Sequence, residues 1–154
     1  MQKNNSANIN GNSLEEYVEL TLKRYEYQQV DNSLFESYAV NEHHGVYARQ
    51  LKLGTGIYDT QIYCDFAVAR GSSGDALIIE CKWQQSGGSA DEKLPFLVEN
   101  IKKCYPHPTY ILIDGKGFRP GAIEWLRKQV GGKLAGVMSM AEFHTWANNG
   151  SFKR

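Results

Sequence analysis

Leu14, Val18, Leu22 and Tyr25 recur at helical spacing along an otherwise polar stretch, which predicts an amphipathic helix over residues 13–27. Ser13 with Glu16 three residues later has the form of a capping box at its start. Residues 37–53 show no single period, and one or two strands are expected around 41–45. Gly54, Gly56 and Asp59 then mark a turn region. Over 61–69 the positions Ile62, Cys64, Phe66 and Val68 alternate with others, predicting a strand with those four on one face. A glycine-rich turn at 71–74 leads into the apolar run 76–83, so the two strands read as a hairpin. A Gly/Ser loop over 84–91 precedes a helix that starts between Ala90 and Pro95 and ends near Cys104. Its buried stripe is Leu94, Leu97, Val98 and Ile101, with Pro95 in the first turn. The rest reads as a strand over 109–113 ended by Asp114-Gly115, a helix over 120–130, a strand over 133–138 and a helix over 139–147 capped by Ser139. The order α-β-β-β-α-β-α-β-α places the chain in the α/β class, a mixed sheet flanked by helices.

Two of these strands carry polar residues where apolar ones are expected. In 76–83, alternation puts Leu77, Ile79, Cys81 and Trp83 on one face and Ile78, Glu80 and Lys82 on the other. Glu80 and Lys82 thus share a side, one strand period apart. Asp65 falls opposite Cys64 and Phe66 on the neighbouring strand, so an acid from each of two adjacent strands can converge. Two close carboxylates repel unless a divalent cation holds them, and hard oxygen donors with room for water suit Mg²⁺. Such an ion polarises a phosphodiester and lowers the pKa of water, while an ammonium beside it stabilises the charged transition state. The backbone carbonyl of Cys81 is a further candidate ligand. The competing reading is a solvated Glu80–Lys82 ion pair on a half-exposed strand.

Composition adds bounds rather than direction. A chain of 154 residues is long enough for one domain with its own core. The expected division is a polar leader over 1–12 without the apolar stretch of a secretory signal, one domain over 13–150, and a short tail. No run approaches the roughly 18 apolar residues of a membrane span. Seventeen basic residues balance seventeen acidic ones, so the net charge is zero and the placement of charge matters more than its sum. Three cysteines, at 64, 81 and 104, form no CxxC and imply a reducing, cytoplasmic setting. Cys64, Cys81 and Trp83 are expected in the core. The adjacent His43 and His44 point to opposite sides if extended, and are read as loop. Gly115-Lys116-Gly117 lacks the spacing and hydroxyl residue of a P-loop and reads as a turn.

Asp65, a following strand and Glu80-Cys81-Lys82 together resemble the PD-(D/E)xK nuclease superfamily, which includes restriction endonucleases, repair nucleases and junction resolvases. Asp65-Phe66 resembles its Asp-hydrophobic strand, with Cys64 in place of the nominal proline. Glu80-Cys81-Lys82-Trp83-Gln84 resembles its third strand, and the first helix resembles the core helix that often carries an extra acid. The resemblance covers about residues 13–138. It implies a restriction-endonuclease-like α-β-β-β-α-β core and a Mg²⁺-dependent DNA endonuclease, with Mn²⁺ as a substitute, that leaves a 5′-phosphate. Asp65 and Glu80 then stand for the metal-binding acids, Lys82 for the catalytic lysine and Glu15 for the helix acid. Glu19, on the same helix face, remains open for that last role, and Glu16 is assigned to the cap. Gln84, Lys93 and Lys116 are candidates for substrate contact. Partners implied are DNA and either a second copy of the chain or a recognition protein. The alternatives are a Holliday-junction resolvase or repair nuclease, and a catalytically silent nuclease fold that binds DNA or protein.

Overall fold

The structure, a computed structural model, describes residues 11–41, 44–72 and 74–152. The leader expected over 1–12 lies outside them except for its last two residues, as do Glu42, His43 and the end of the chain. The elements are α1 (Gly11–Arg24), β1 (Gln28–Gln29), α2 (Phe35–Ala39), β2 (Val46–Thr55), β3 (Gln61–Ala69), β4 (Ala76–Trp83), α3 (Leu94–Cys104), β5 (Thr109–Asp114), α4 (Pro120–Lys128), β6 (Leu134–Met138) and α5 (Met140–Trp146).

The strands form one sheet in sequence order, β1-β2-β3-β4-β5-β6. β2, β3 and β4 are antiparallel neighbours, β4, β5 and β6 are parallel, and β1 runs parallel to β2 at the edge. Parallel neighbours need a crossover, and α3 and α4 supply the two. Because both crossovers add a strand in the same direction, their common handedness places both helices on the same face. Leu94, Val98 and Ile101 of α3 and Leu126 of α4 accordingly join Phe35 of α2 and the sheet residues Ile78, Ile111 and Ile113 in one core. On the other face Leu14, Val18 and Leu22 of α1 and Phe143 of α5 pack on Tyr47, Phe66, Leu77 and Ile79. This is an α/β fold with a mixed six-stranded sheet between helices, consistent with a restriction-endonuclease-like core.

Several expectations need correction. Helix α1 begins at Gly11, so Ser13 lies inside it and is not its cap, and Glu16 is simply exposed. The strands expected around 41–45 are not there among the described residues. Phe35 and Ala39 bury one face of the short α2, and β2 starts only at Val46. A five-residue helix is too short to register as a period. Gly45 must stay glycine-like because a Cβ there would meet the Tyr27 ring at 2.6 Å. Ser139 does cap α5, in a reciprocal pair with Glu142. No helix among the described residues is long and apolar enough to cross a membrane.

Candidate active site

Strand β4 keeps regular alternation through Lys82, while Trp83, expected in the core, is only half-buried at its end. Leu77, Ile79 and Cys81 enter the α1 core, while Ile78 enters the α3 core and Glu80 and Lys82 continue that face. Strand β3 does not. Phe66 and Val68 belong to the α1 core, but Cys64 belongs to the α3 core. The expectation that Cys64 and Phe66 share a face is therefore wrong. The phase slips at Asp65, and it slips at the same level in β2, where Ala48 and Leu51 fall in one core on either side of Gln50. The ladder passes from Arg49–Phe66 directly to Leu51–Cys64. Gln50 takes a left-handed φ of 51°. Asn32 donates to the carbonyls of Arg49 (3.1 Å) and Gln50 (3.3 Å) at this kink. A paired irregularity of this kind re-aims a side chain, as bulges beside sites do.

The consequence is a fork. Backbone pairing of β3 with β4 stops at Phe66–Ile79, while β4 runs on beside β5 to Trp83. Asp65 fills the opening, its Oδ2 accepting from the Cys81 backbone N–H at 2.7 Å and its Oδ1 from Gln50 Nε2 at 3.4 Å. The N–H and C=O of one strand residue point to the same edge, so the Cys81 carbonyl also faces the fork. Glu80 reaches the fork from the α3 side. It is 3% exposed, which excludes the solvated surface pair, and it accepts from Tyr105 Oη at 2.8 Å. Glu15 reaches it from the α1 side, 3.4 Å from Arg49 Nη2.

Charge ties these groups together. Burial first, and then the Asp65 carboxylate, hold the Glu80 carboxyl well above its ordinary range, while Lys82 pulls it down. Glu15 is raised by the same two causes in the same order, and lowered by Arg49 and Lys82. Asp65, Glu80, Lys82 and Glu15 are thus brought into one electrostatic unit. Glu19 is held elsewhere, accepting from Tyr47 Oη at 2.9 Å and lying 3.5 Å from Arg49 Nη1 and 3.8 Å from Lys23 Nζ.

A family model of the PD-(D/E)XK nuclease superfamily domain matches residues 6–151. The chain belongs to the PD-(D/E)XK nuclease superfamily. No curated protein and no solved structure gave a significant match.

Nucleases of this superfamily typically use divalent metals, and the donor chemistry at the fork suits one. Two acids of which one raises the other's proton affinity are acids that a cation would relieve, and all the donors are hard oxygens. Among the described residues no three His, Cys, Asp or Glu side chains are gathered into a ligand shell. Two carboxylates and a carbonyl leave places for the waters that Mg²⁺ retains.

The secondary candidates separate. Lys93 lines a cleft with Glu80 and Lys82. Gln84 is buried, and both ends of its amide serve backbone: Nε2 donates to the Gly117 carbonyl (2.8 Å) and Oε1 accepts from the Ala90 N–H (2.9 Å). It braces two loops and has no free end for substrate. Lys116 is exposed on the turn that Gln84 braces. Gly115 there has φ 103°, and a Cβ would meet the Gln84 carbonyl oxygen at 2.3 Å, so the Gly-Lys-Gly run is structural. His44 is exposed. The sequence reading missed Tyr105, Arg49 and Gln50.

Proposed function

We propose that this nuclease-superfamily protein is a Mg²⁺-dependent DNA endonuclease whose centre is the β3–β4 fork. The observation that carries the reading is the convergence of Asp65 with a buried Glu80 at the point where β3 leaves β4. Asp65, Glu80 and the Cys81 carbonyl would hold the cation, which when bound neutralises phosphate charge and lowers the pKa of water. Tyr105 fixes the Glu80 carboxylate, and Arg49 fixes Glu15 from the other face. Lys82, beside Glu80, orients the attacking water and offers positive charge to the phosphate as it gains charge in the transition state. Glu15, whose proton affinity burial and the neighbouring Asp65 raise, assists from α1 as a proton acceptor.

The test pairs calorimetric titration of Mg²⁺ and Mn²⁺ with cleavage of supercoiled, linear and four-way-junction DNA. Wild type should bind metal and cut. Glu80→Ala should lose both. Lys82→Ala should keep metal binding and lose roughly 100-fold or more in rate, the scale seen when a transition-state donor is removed. Wild type that takes up neither ion sinks the catalytic reading. Selective cutting of the junction would mark a resolvase.

A further inference from the structure

A cleft of about 280 Å³ opens on the α3 side of the fork, with Glu80 and Lys82 in its wall. The rest of the lining is apolar for the most part, including Ile62, Leu94 and Leu97, and it carries Tyr63 and Phe96. Tyr63 is 53% exposed and Phe96 38%. Tyr58, 71% exposed, stacks on Phe96 with ring centroids 4.8 Å apart and planes 32° from parallel. That stack is held in place, because Asn100 of α3 accepts from the Ile57 N–H at 2.9 Å and so pins the β2–β3 hairpin tip to the helix. Among the described residues, three of the four large aromatics left most exposed therefore gather beside the candidate centre. Concentrated exposed apolar surface marks a binding site.

A blunt duplex has little use for such a surface. It presents phosphates and groove edges, and its ring faces are stacked inside. An apolar wall gains nothing from a phosphate. An unstacked base offers a flat apolar face of matching kind, and aromatic side chains are what single-strand binders use for it. Lys82 and Lys93 in the same lining complement the phosphates on either side of such a base.

We propose that this cleft receives an unpaired nucleotide adjoining the bond to be cut, so that the substrate class is DNA with single-stranded character: a strand, a tail or an opened end. The inference rests on the nuclease reading and narrows its substrate.

The experiment is fluorescence anisotropy of the whole protein in EDTA, which prevents cleavage. The probes are a labelled single strand, a blunt duplex of the same sequence and that duplex with a single-stranded tail. The strand and the tailed duplex should bind roughly tenfold more tightly than the blunt duplex. Phe96→Ala and Tyr63→Ala should each weaken single-strand binding by about tenfold, and Phe96→Trp should keep it. Both positions are exposed, and a thermal melt checks the fold of each variant. Equal affinity for strand and blunt duplex overturns the inference, as do alanine variants that bind like wild type, or no binding to any probe. Metal plays no part in this readout, so failure here is distinct from failure of Mg²⁺ uptake or of cutting.

Discussion

At Glu80, burial and the proposed metal-binding role oppose one another. The carboxyl is nearly sealed, has one hydroxyl partner in Tyr105, and stands beside Asp65. Its folded-state pKa is raised well above 4.5, so the folded protein binds that proton more tightly than the unfolded chain does. The linkage sign follows: this group costs no stability below the unfolded value, and stability falls as pH rises through the folded value. Glu80→Gln should therefore raise the metal-free melting temperature near neutral pH and leave it unchanged in acid below about pH 4.5. Each tenfold change in proton affinity is worth about 1.4 kcal/mol, and a chain of this size gains roughly 2–4 °C per kcal/mol. A variant that melts lower than wild type at neutral pH would show that the acid is not strained. Saturating Mg²⁺ should stabilise wild type by mass action and leave Glu80→Gln unmoved. Tyr105→Phe probes the same carboxylate from behind. Removing the hydroxyl should weaken Mg²⁺ binding by about tenfold or more, as loss of an outer partner of a ligand does. An unchanged calorimetric isotherm would reduce Tyr105 to packing.

The kink at Gln50 and Asp65 explains what could and could not be read from the chain at the scale of its elements. Strand β4 was legible in all but its last residue, Trp83, which was expected in the core and is only half-buried. Its apolar run set its limits, and alternation put Glu80 and Lys82 on one face with Cys81 on the other. The helices α1 and α3 were legible because their stripes are long and regular. Asp65 was found by its position next to β4, yet its orientation was misjudged. Alternation assumes an unbroken period of two, and a slip shared by both strands resets the phase without changing the register. Glycine would have advertised a left-handed residue, and here it is a glutamine. Tyr105 and Arg49 arrive from distant segments, so no local spacing could announce them. The kink also makes a prediction that runs against strand propensity. Gln50 is exposed in a strand, where a β-branched residue normally helps. At φ 51° the branched side chain clashes with its own backbone, so Gln50→Val should destabilise by about 1–2 kcal/mol. Gln50→Gly should stay within about 1 kcal/mol of wild type, relief of strain offsetting the freer unfolded chain. Urea unfolding decides it; a Val variant as stable as wild type would mean that the kink is soft.

On the scale of the whole molecule, the sheet changes character at the fork. Strand β4 is antiparallel to β3 and parallel to β5, and the acids come from three places: Glu15 from the α1 face, Asp65 from within the sheet, Glu80 from the α3 face. The proposed site therefore needs both helical layers at once. It also gathers negative charge in a chain whose 17 basic and 17 acidic residues cancel. A strand approaching it meets repulsion from the acids and attraction from Lys82 and Lys93 in the cleft, while Arg49 is tied to Glu15 and Glu19. Affinity should then depend weakly on salt. Each phosphate neutralised on a single strand contributes about −0.7 to the slope of log K against log salt. With two to four phosphates engaged, the expected slope in a sodium chloride series lies between about −1.4 and −2.8, and Lys93→Ala should flatten it by about 0.7. Adding Ca²⁺, which can occupy an oxygen site without supporting the usual Mg²⁺ chemistry, should raise affinity by cancelling the acids, and Glu80→Ala should remove that gain. A slope steeper than roughly −5 would place the main phosphate contacts on basic surface away from the fork, and the docking of substrate at Glu80 would have to be abandoned.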